Sequence, residues 1–144
     1  MRRFHAMVLS GVALLGAFGL SACAVPGSSE TFAFHSPGGQ VEIFYDEADR
    51  APLSEFSGES LMEPGTQISL SDFEDQMVAL NAWGQWCAPC RAEGDDLQEV
   101  QEHLTGRTVD GKPSGTILGI NVRDYQPEIS RDFLTDNGAT YPSI

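Results

Sequence analysis

Trp83-Gly84-Gln85-Trp86-Cys87-Ala88-Pro89-Cys90 decides how this chain is read. An apolar run, Met77-Val78-Ala79-Leu80-Asn81-Ala82, leads into it, and a run of helical character, Arg91 to Thr105, leads out. A strand that delivers Cys-x-x-Cys to the start of a helix is a redox layout. The first N–H groups of a helix lack intrahelical partners and carry the positive end of its dipole, so negative charge is stabilised there. A thiolate is such a charge, and the pKa of the first cysteine is expected to fall toward or below neutrality. The second cysteine, one turn on, can attack a mixed disulfide formed at the first and release the product.

The flanks supply the architecture. Met77 to Trp83 is almost continuously apolar and reads as a core strand buried on both faces. After Cys90, Leu97, Val100 and Leu104 fall at i, i+3 and i+7, a stripe expected to face the sheet, with Gly106 as the C′ residue. Asp110-Gly111-Lys112-Pro113 is a turn, and Thr116 to Val122 is a second buried strand. Pro127 opens a further helix, running to Asn137-Gly138 with Ile129 and Phe133 inward. Two parallel strands joined by a crossover helix make a right-handed βαβ unit, so the fold class is α/β. Upstream, Gln40 to Tyr45 alternates like a half-buried strand and Thr31 to Phe34 alternates weakly. Pro37-Gly38-Gly39 is a turn, and Asp46 to Leu53 is an acidic loop. Thr66 to Leu70 is a short strand, followed by one helical turn, Asp72-Phe73-Glu74, capped by Ser71.

Residue for residue, Trp86-Cys87-Ala88-Pro89-Cys90 resembles the active site of the thioredoxin superfamily. The wider pattern Leu80-Asn81-x-Trp83-x-x-Trp86-Cys87-x-Pro89-Cys90-Arg91-x-Glu93 resembles the exported, membrane-anchored TlpA/ResA-type thiol–disulfide oxidoreductases, from about Ser60 to the end. The resemblance implies a thioredoxin-like fold with an extra N-terminal hairpin. It also implies disulfide exchange through the cysteine pair, with Cys87 as nucleophile and Cys90 as resolving thiol. By the same resemblance Glu93 serves proton transfer, as a partly buried carboxylate beside a thiol could. A solvated acid in the first helical turn is the plain alternative. Asn81 stands where cytosolic thioredoxins keep a buried acid. Trp86 is expected to line the exposed site and Trp83 to enter the core. Pro89 delays the helix start, and Ala88-Pro89 looks closer to the reducing members than to the strong oxidants. Gly94-Asp95-Asp96 departs from the family, where a proline often follows the Glu and kinks the helix.

The implied thioredoxin fold continues past a second helix into a hairpin, preceded by a cis-proline, and a last helix. The sequence stops at Tyr141-Pro142-Ser143-Ile144. The reading is therefore of a C-terminally truncated portion, over residues 40–144, with an apolar strand edge left open.

The first residues address the chain. Arg2 and Arg3 precede an apolar stretch, Ala6 to Leu20, too short for a comfortable membrane span. Leu20-Ser21-Ala22-Cys23 resembles a bacterial lipobox. That implies a lipoprotein signal peptide over residues 1–22, lipidation of Cys23, and an anchor and flexible tether over 23–39 on the extracytoplasmic face. An ordinary signal peptide that contains a cysteine is the alternative. Lipidation would leave Cys87 and Cys90 as the one pair, in a compartment where disulfides persist.

With 144 residues the chain allows one domain, and 8 Lys and Arg against 21 Asp and Glu give −13. That balance argues against nucleic acid and against docking on anionic lipid. No phosphate-binding glycine loop occurs, and no cofactor or metal is expected. Implied partners are the thiols and disulfides of exported proteins, cytochrome c maturation factors among them, and a membrane thiol electron donor. The direction of exchange stays open. Rivals are a lipoprotein that binds a thiophilic metal such as copper through the cysteines, and an inactive remnant.

Overall fold

The computed structural model describes residues 37–144. The signal peptide expected over residues 1–22, the lipidation expected at Cys23 and the strand expected at Thr31 to Phe34 lie outside the described residues. The described residues fall into two units, 37–53 and 54–144.

In the first unit Pro37–Gly39 forms the expected turn, with Gly38 and Gly39 at φ of 68° and 70°. No strand forms over Gln40 to Tyr45, where Val41 is 98% and Phe44 91% exposed. Alternation supplies an apolar face, but a strand also needs a neighbour for its backbone groups and cover for that face. Glu47–Asp49 makes one 3-10 turn within the expected loop, and Arg50 Nε donates to Tyr45 O at 3.1 Å.

The second unit opens with an antiparallel hairpin of β1 (Ser57–Glu59) and β2 (Gln67–Ser69), registered Ser57 to Ser69 and Glu59 to Gln67. The cap of the following turn, Leu70–Phe73, is Ser69 and not Ser71. Asp72 Oδ2 accepts the Ser69 N–H at 2.7 Å, while Ser71 is taken up by Glu55 Oε1 through its N–H and hydroxyl, both at 3.2 Å.

The core is the parallel pair β3 (Met77–Trp83) and β6 (Gly115–Asn121), in unbroken register from Met77 opposite Gly115 to Trp83 opposite Asn121. Between them come α1 (Ala88–Ala92), α2 (Gly94–Thr105) and a two-residue hairpin of β4 (Thr108–Val109) and β5 (Lys112–Pro113). That hairpin turns through Asp110 and Gly111, whose positive φ values of 52° and 82° suit a tight turn whose twist matches the strands. The chain closes with α3 (Pro127–Asp136), started by its proline as expected, and a stretch along the far edge of β6. There Gly119 N donates to Pro142 O, Ile144 N to Gly119 O and Asn121 N to Ile144 O, at 2.8–2.9 Å, and Ser143 bridges Gly119 in parallel.

Three burial expectations need correction. β3 is not buried on both faces: Met77 is 62% and Leu80 40% exposed, and only Trp83 of this strand joins the buried cluster of Leu104, Ile117, Leu134 and Tyr141. On α2 the inner face carries Leu97, Gln101 and Leu104, while Val100 is 45% exposed. Buried Gln101 accepts the Ile117 N–H at 2.8 Å and bonds Thr116 Oγ1 at 3.2 Å, so a backbone demand of β6 turns the helix toward it. On α3 the buried residues are Ser130 and Leu134. Ile129 is 42% exposed, while Phe133 packs inward as expected, half-buried with its ring 5.5 Å from that of Trp83.

Candidate active site

The register of β3 against β6 brings two strand ends to one side, and each continues into a turn. After β3, Gly84 is buried, and a Cβ there would lie 2.5 Å from Trp86 Nε1, so glycine leaves room for the Trp86 ring in its present position. Cys87 N donates to Gly84 O at 3.0 Å. Cys87 then caps α1 from an extended conformation, φ −84° and ψ 106°, and Cys90 N approaches Cys87 Sγ at 3.3 Å. The two cysteines are joined as a disulfide with Cα atoms 5.3 Å apart. Both are half-buried, and Cys90 packs against the core. Pro89 occupies the first turn, where its missing N–H leaves no gap in the hydrogen bonding.

The other expected residues are placed as follows. Trp83 is 3% exposed, in the core, and Trp86 is 51% exposed beside Cys87 with Nε1 donating to Val122 O at 3.0 Å. Asn81 is half-buried on β3 opposite Gly119. Glu93 stands where α1 ends and α2 begins, at φ −89° and ψ −3°, so the helical run breaks there with a glycine next in place of a proline. Its side chain is exposed, not partly buried. No hydrogen bond among the described residues ties Asn81 or Glu93 to either cysteine.

A second set of residues holds the site and was not foreseen. After β6, one carboxylate oxygen of Asp124 accepts from Asn121 Nδ2 at 2.7 Å, Ser130 Oγ at 2.9 Å and the Gln85 N–H at 3.1 Å. Arg91 Nη1 donates to Gln85 O at 2.7 Å. The turn before Cys87 is thus gripped on both sides. Burial pushes the Asp124 carboxyl up, but the bonds from Asn121, the Gln85 N–H and Ser130 outweigh it and hold it below its ordinary range. The one signal for this set in the sequence is a serine facing inward on α3, visible only once the phase of that helix is known. Beside the turn lies a cleft of about 270 Å³, lined by Trp86, Arg123, Asp124, Tyr125 and Ile129 among others. Among the described residues no group of three or more His, Cys, Asp or Glu side chains could hold a metal ion, and no helix is long and apolar enough to cross a membrane.

Comparison with known proteins places this geometry. The model of the AhpC/TSA family matches residues 48–144, more than half of the chain. A secreted thiol-disulfide isomerase from Corynebacterium glutamicum is 66% identical in sequence, with a TM-score of 0.74 over 79% of this chain and 66% of that one. A DsbF homologue from Corynebacterium diphtheriae is 60% identical, with a TM-score of 0.69 over 79% of this chain and 67% of that one. The thiol-disulfide oxidoreductase ResA of Bacillus subtilis is 29% identical over 80 residues, 56% of this chain and 41% of ResA. The DsbE homologue of Paracoccus denitrificans is 31% identical over 121 residues, 83% of this chain and 62% of that protein. The chain therefore spans less than two thirds of the length of these two relatives. Its fold is thioredoxin-like α/β.

Proposed function

This chain belongs to the AhpC/TSA family, and from that premise we propose that it is a thiol–disulfide oxidoreductase working through Cys87 and Cys90. One observation carries the reading: Cys87 caps α1 with the Cys90 N–H on its sulfur, in a turn where the two cysteines already pair. In the reducing direction the Cys87 thiolate attacks one sulfur of a substrate disulfide. The substrate S–S bond breaks, and the departing sulfur leaves as a thiolate that takes a proton from solvent. The Cys90 thiolate, its proton given up to solvent, then attacks Cys87 Sγ. The second substrate sulfur departs and is protonated, and the Cys87–Cys90 disulfide forms as two electrons pass to the substrate. Trp86 lines the approach and Pro89 keeps the pair at the helix start. With Glu93 exposed, any proton it moves would pass through water.

The setting follows from the first residues. Export with a lipid on Cys23 would hold the domain on the extracytoplasmic face, where the substrates are exported proteins, cytochrome c maturation factors among them. A membrane thiol donor would re-reduce the pair. The similarity to a secreted thiol-disulfide isomerase supports export.

The test is trapping. Cys90→Ser should accumulate a mixed disulfide through Cys87, seen by intact mass, and Cys87→Ser should form none and lose at least about 1,000-fold in exchange rate, the thiolate being the nucleophile. Equal trapping by both variants would exclude the assigned roles, and loss of neither rate would exclude the function.

A further inference from the structure

Two groups that touch neither sulfur hold the turn that presents Cys87. The Gln85 N–H goes to Asp124 Oδ2 at 3.1 Å and the Gln85 carbonyl to Arg91 Nη1 at 2.7 Å. The carboxylate is fixed from behind by Asn121 Nδ2, at the end of β6, and by the fully buried hydroxyl of Ser130 on α3. Trp86, between Gln85 and Cys87, is held by Val122 O in the same loop. While the disulfide is closed, the pair holds itself. Once it is reduced, the covalent link is gone, and these bonds, with those from Cys87 N to Gly84 O and from Arg91 N to Cys87 O, fix where Cys87 sits relative to the Cys90 N–H.

We propose that Asp124 is a positioning residue for disulfide exchange, holding the Gln85 turn so that reduced Cys87 stays in reach of the Cys90 N–H. The inference rests on the oxidoreductase reading. A thiolate accepts from a helix N–H only while it stays in reach, and loosening the turn removes that bond from the charged form. The charged groups around the turn are Arg91 and Glu93 on the helix side and Arg123 and Asp124 on the loop after β6. Loss of the Asp124 charge alone would favour the thiolate, and loss of its grip would disfavour it. The two effects have opposite signs and can be separated.

The experiment compares Asp124→Ala with Asp124→Asn in the full chain. Three readouts are taken: the pH profile of iodoacetamide alkylation of Cys87 after reduction, the rate of reduction of oxidised insulin, and amide hydrogen exchange. Asp124→Ala should raise the alkylation midpoint, lower the insulin rate about tenfold, as losing a bond to a charged group does, and speed exchange at the Gln85 amide. The Ile117 amide should keep its protection. Asp124→Asn keeps an acceptor oxygen and should recover the rate to within about threefold, with a midpoint no higher than that of the unaltered chain. An unchanged midpoint and rate in Asp124→Ala would overturn the proposal. So would equal impairment of both variants, or loss of Ile117 protection alongside Gln85, which would make Asp124 a staple of the fold alone. Alkylation needs no turnover. A reduced, unaltered chain that leaves insulin intact would sink the oxidoreductase reading, while the alkylation profiles would still decide the role of Asp124.

Discussion

β3 and β6 are both seven-residue, largely apolar strands, paired residue for residue, yet they occupy opposite environments. Along β6, Gly115 to Gly119 is buried, with Ile117 at 1% and Leu118 at 0% exposure. Along β3, Met77 and Leu80 are substantially exposed and burial is complete only at Trp83. Both edges of β6 are used, by β3 and by Pro142 to Ile144, and Gln101 of α2 satisfies the Ile117 N–H. Among the described residues β3 pairs with β6 alone. Hydropathy marks a strand, but what covers the strand decides its burial. The cysteine pair emerges from the less covered strand, and it is anchored across to the loop that follows the more covered one.

The sharpest test of that contrast is a matched truncation. Leu118→Ala on β6 should cost about 2–5 kcal/mol, the range for a buried leucine whose cavity cannot collapse fully. Leu80→Ala on β3, already 40% exposed, should cost less than about 1.5 kcal/mol, because less apolar area leaves contact. Urea denaturation measures both, and similar costs would mean that β3 is covered in solution.

Next comes the seam between β6 and the last residues. A methyl group at Gly119 would collide with Ser143 Oγ and lie 2.9 Å from Trp83 Nε1. Gly119→Ala should therefore destabilise by about 1–3 kcal/mol through overpacking. Calorimetry would show it, and a neutral result would mean that Pro142 to Ile144 do not hold to β6. Below that lies the link between the two strand exits. Trp86→Phe removes the bond from Nε1 to Val122 O while keeping an aromatic ring beside Cys87. A loss of about 0.5–1.5 kcal/mol is expected, the net value of one hydrogen bond, with a two- to threefold slower exchange with oxidised insulin.

The legible and illegible parts of the molecule divide along the same line. The strand, the cysteines and the helix start could be read, because Trp86 to Cys90 and a seven-residue apolar run are local signals. The hairpin partner Ser57–Glu59 could not, since Ser-Gly-Glu carries no strand pattern and is held by its pairing to Gln67–Ser69. Gln40 to Tyr45 had the pattern and formed no strand. On each helix one residue of the expected stripe is exposed, Val100 on α2 and Ile129 on α3, while Leu97, Leu104 and Phe133 pack inward; Gln101 and Ser130 are polar, and each is buried because a backbone or carboxylate partner waits for it. Asp124 was missed with Ser130, since its role exists only once β6, α3 and the active-site turn meet.

The smallest effects lie in the pH dependence of stability, and they again separate the two sides of β6. At its exit, Asp124 is held below the ordinary carboxyl value of 3.8. A group with a lowered folded pKa stabilises fully above its unfolded value, and that contribution is lost as pH falls through the folded value. Asp124→Asn should therefore flatten the decline of Tm below about pH 4. At the far edge, burial raises the Tyr141 hydroxyl above 10.0. A raised folded pKa works in the other direction: the contribution is complete below 10.0 and disappears as pH climbs through the folded value. Tyr141→Phe cannot ionise, so it should retain Tm above pH 10 where the unaltered chain loses it, with little difference at pH 7. If its alkaline limb matched that of the unaltered chain, the Tyr141 hydroxyl would already reach water in the folded state. The segment leading into Pro142 to Ile144 would then cover β6 less firmly than the contrast with β3 requires.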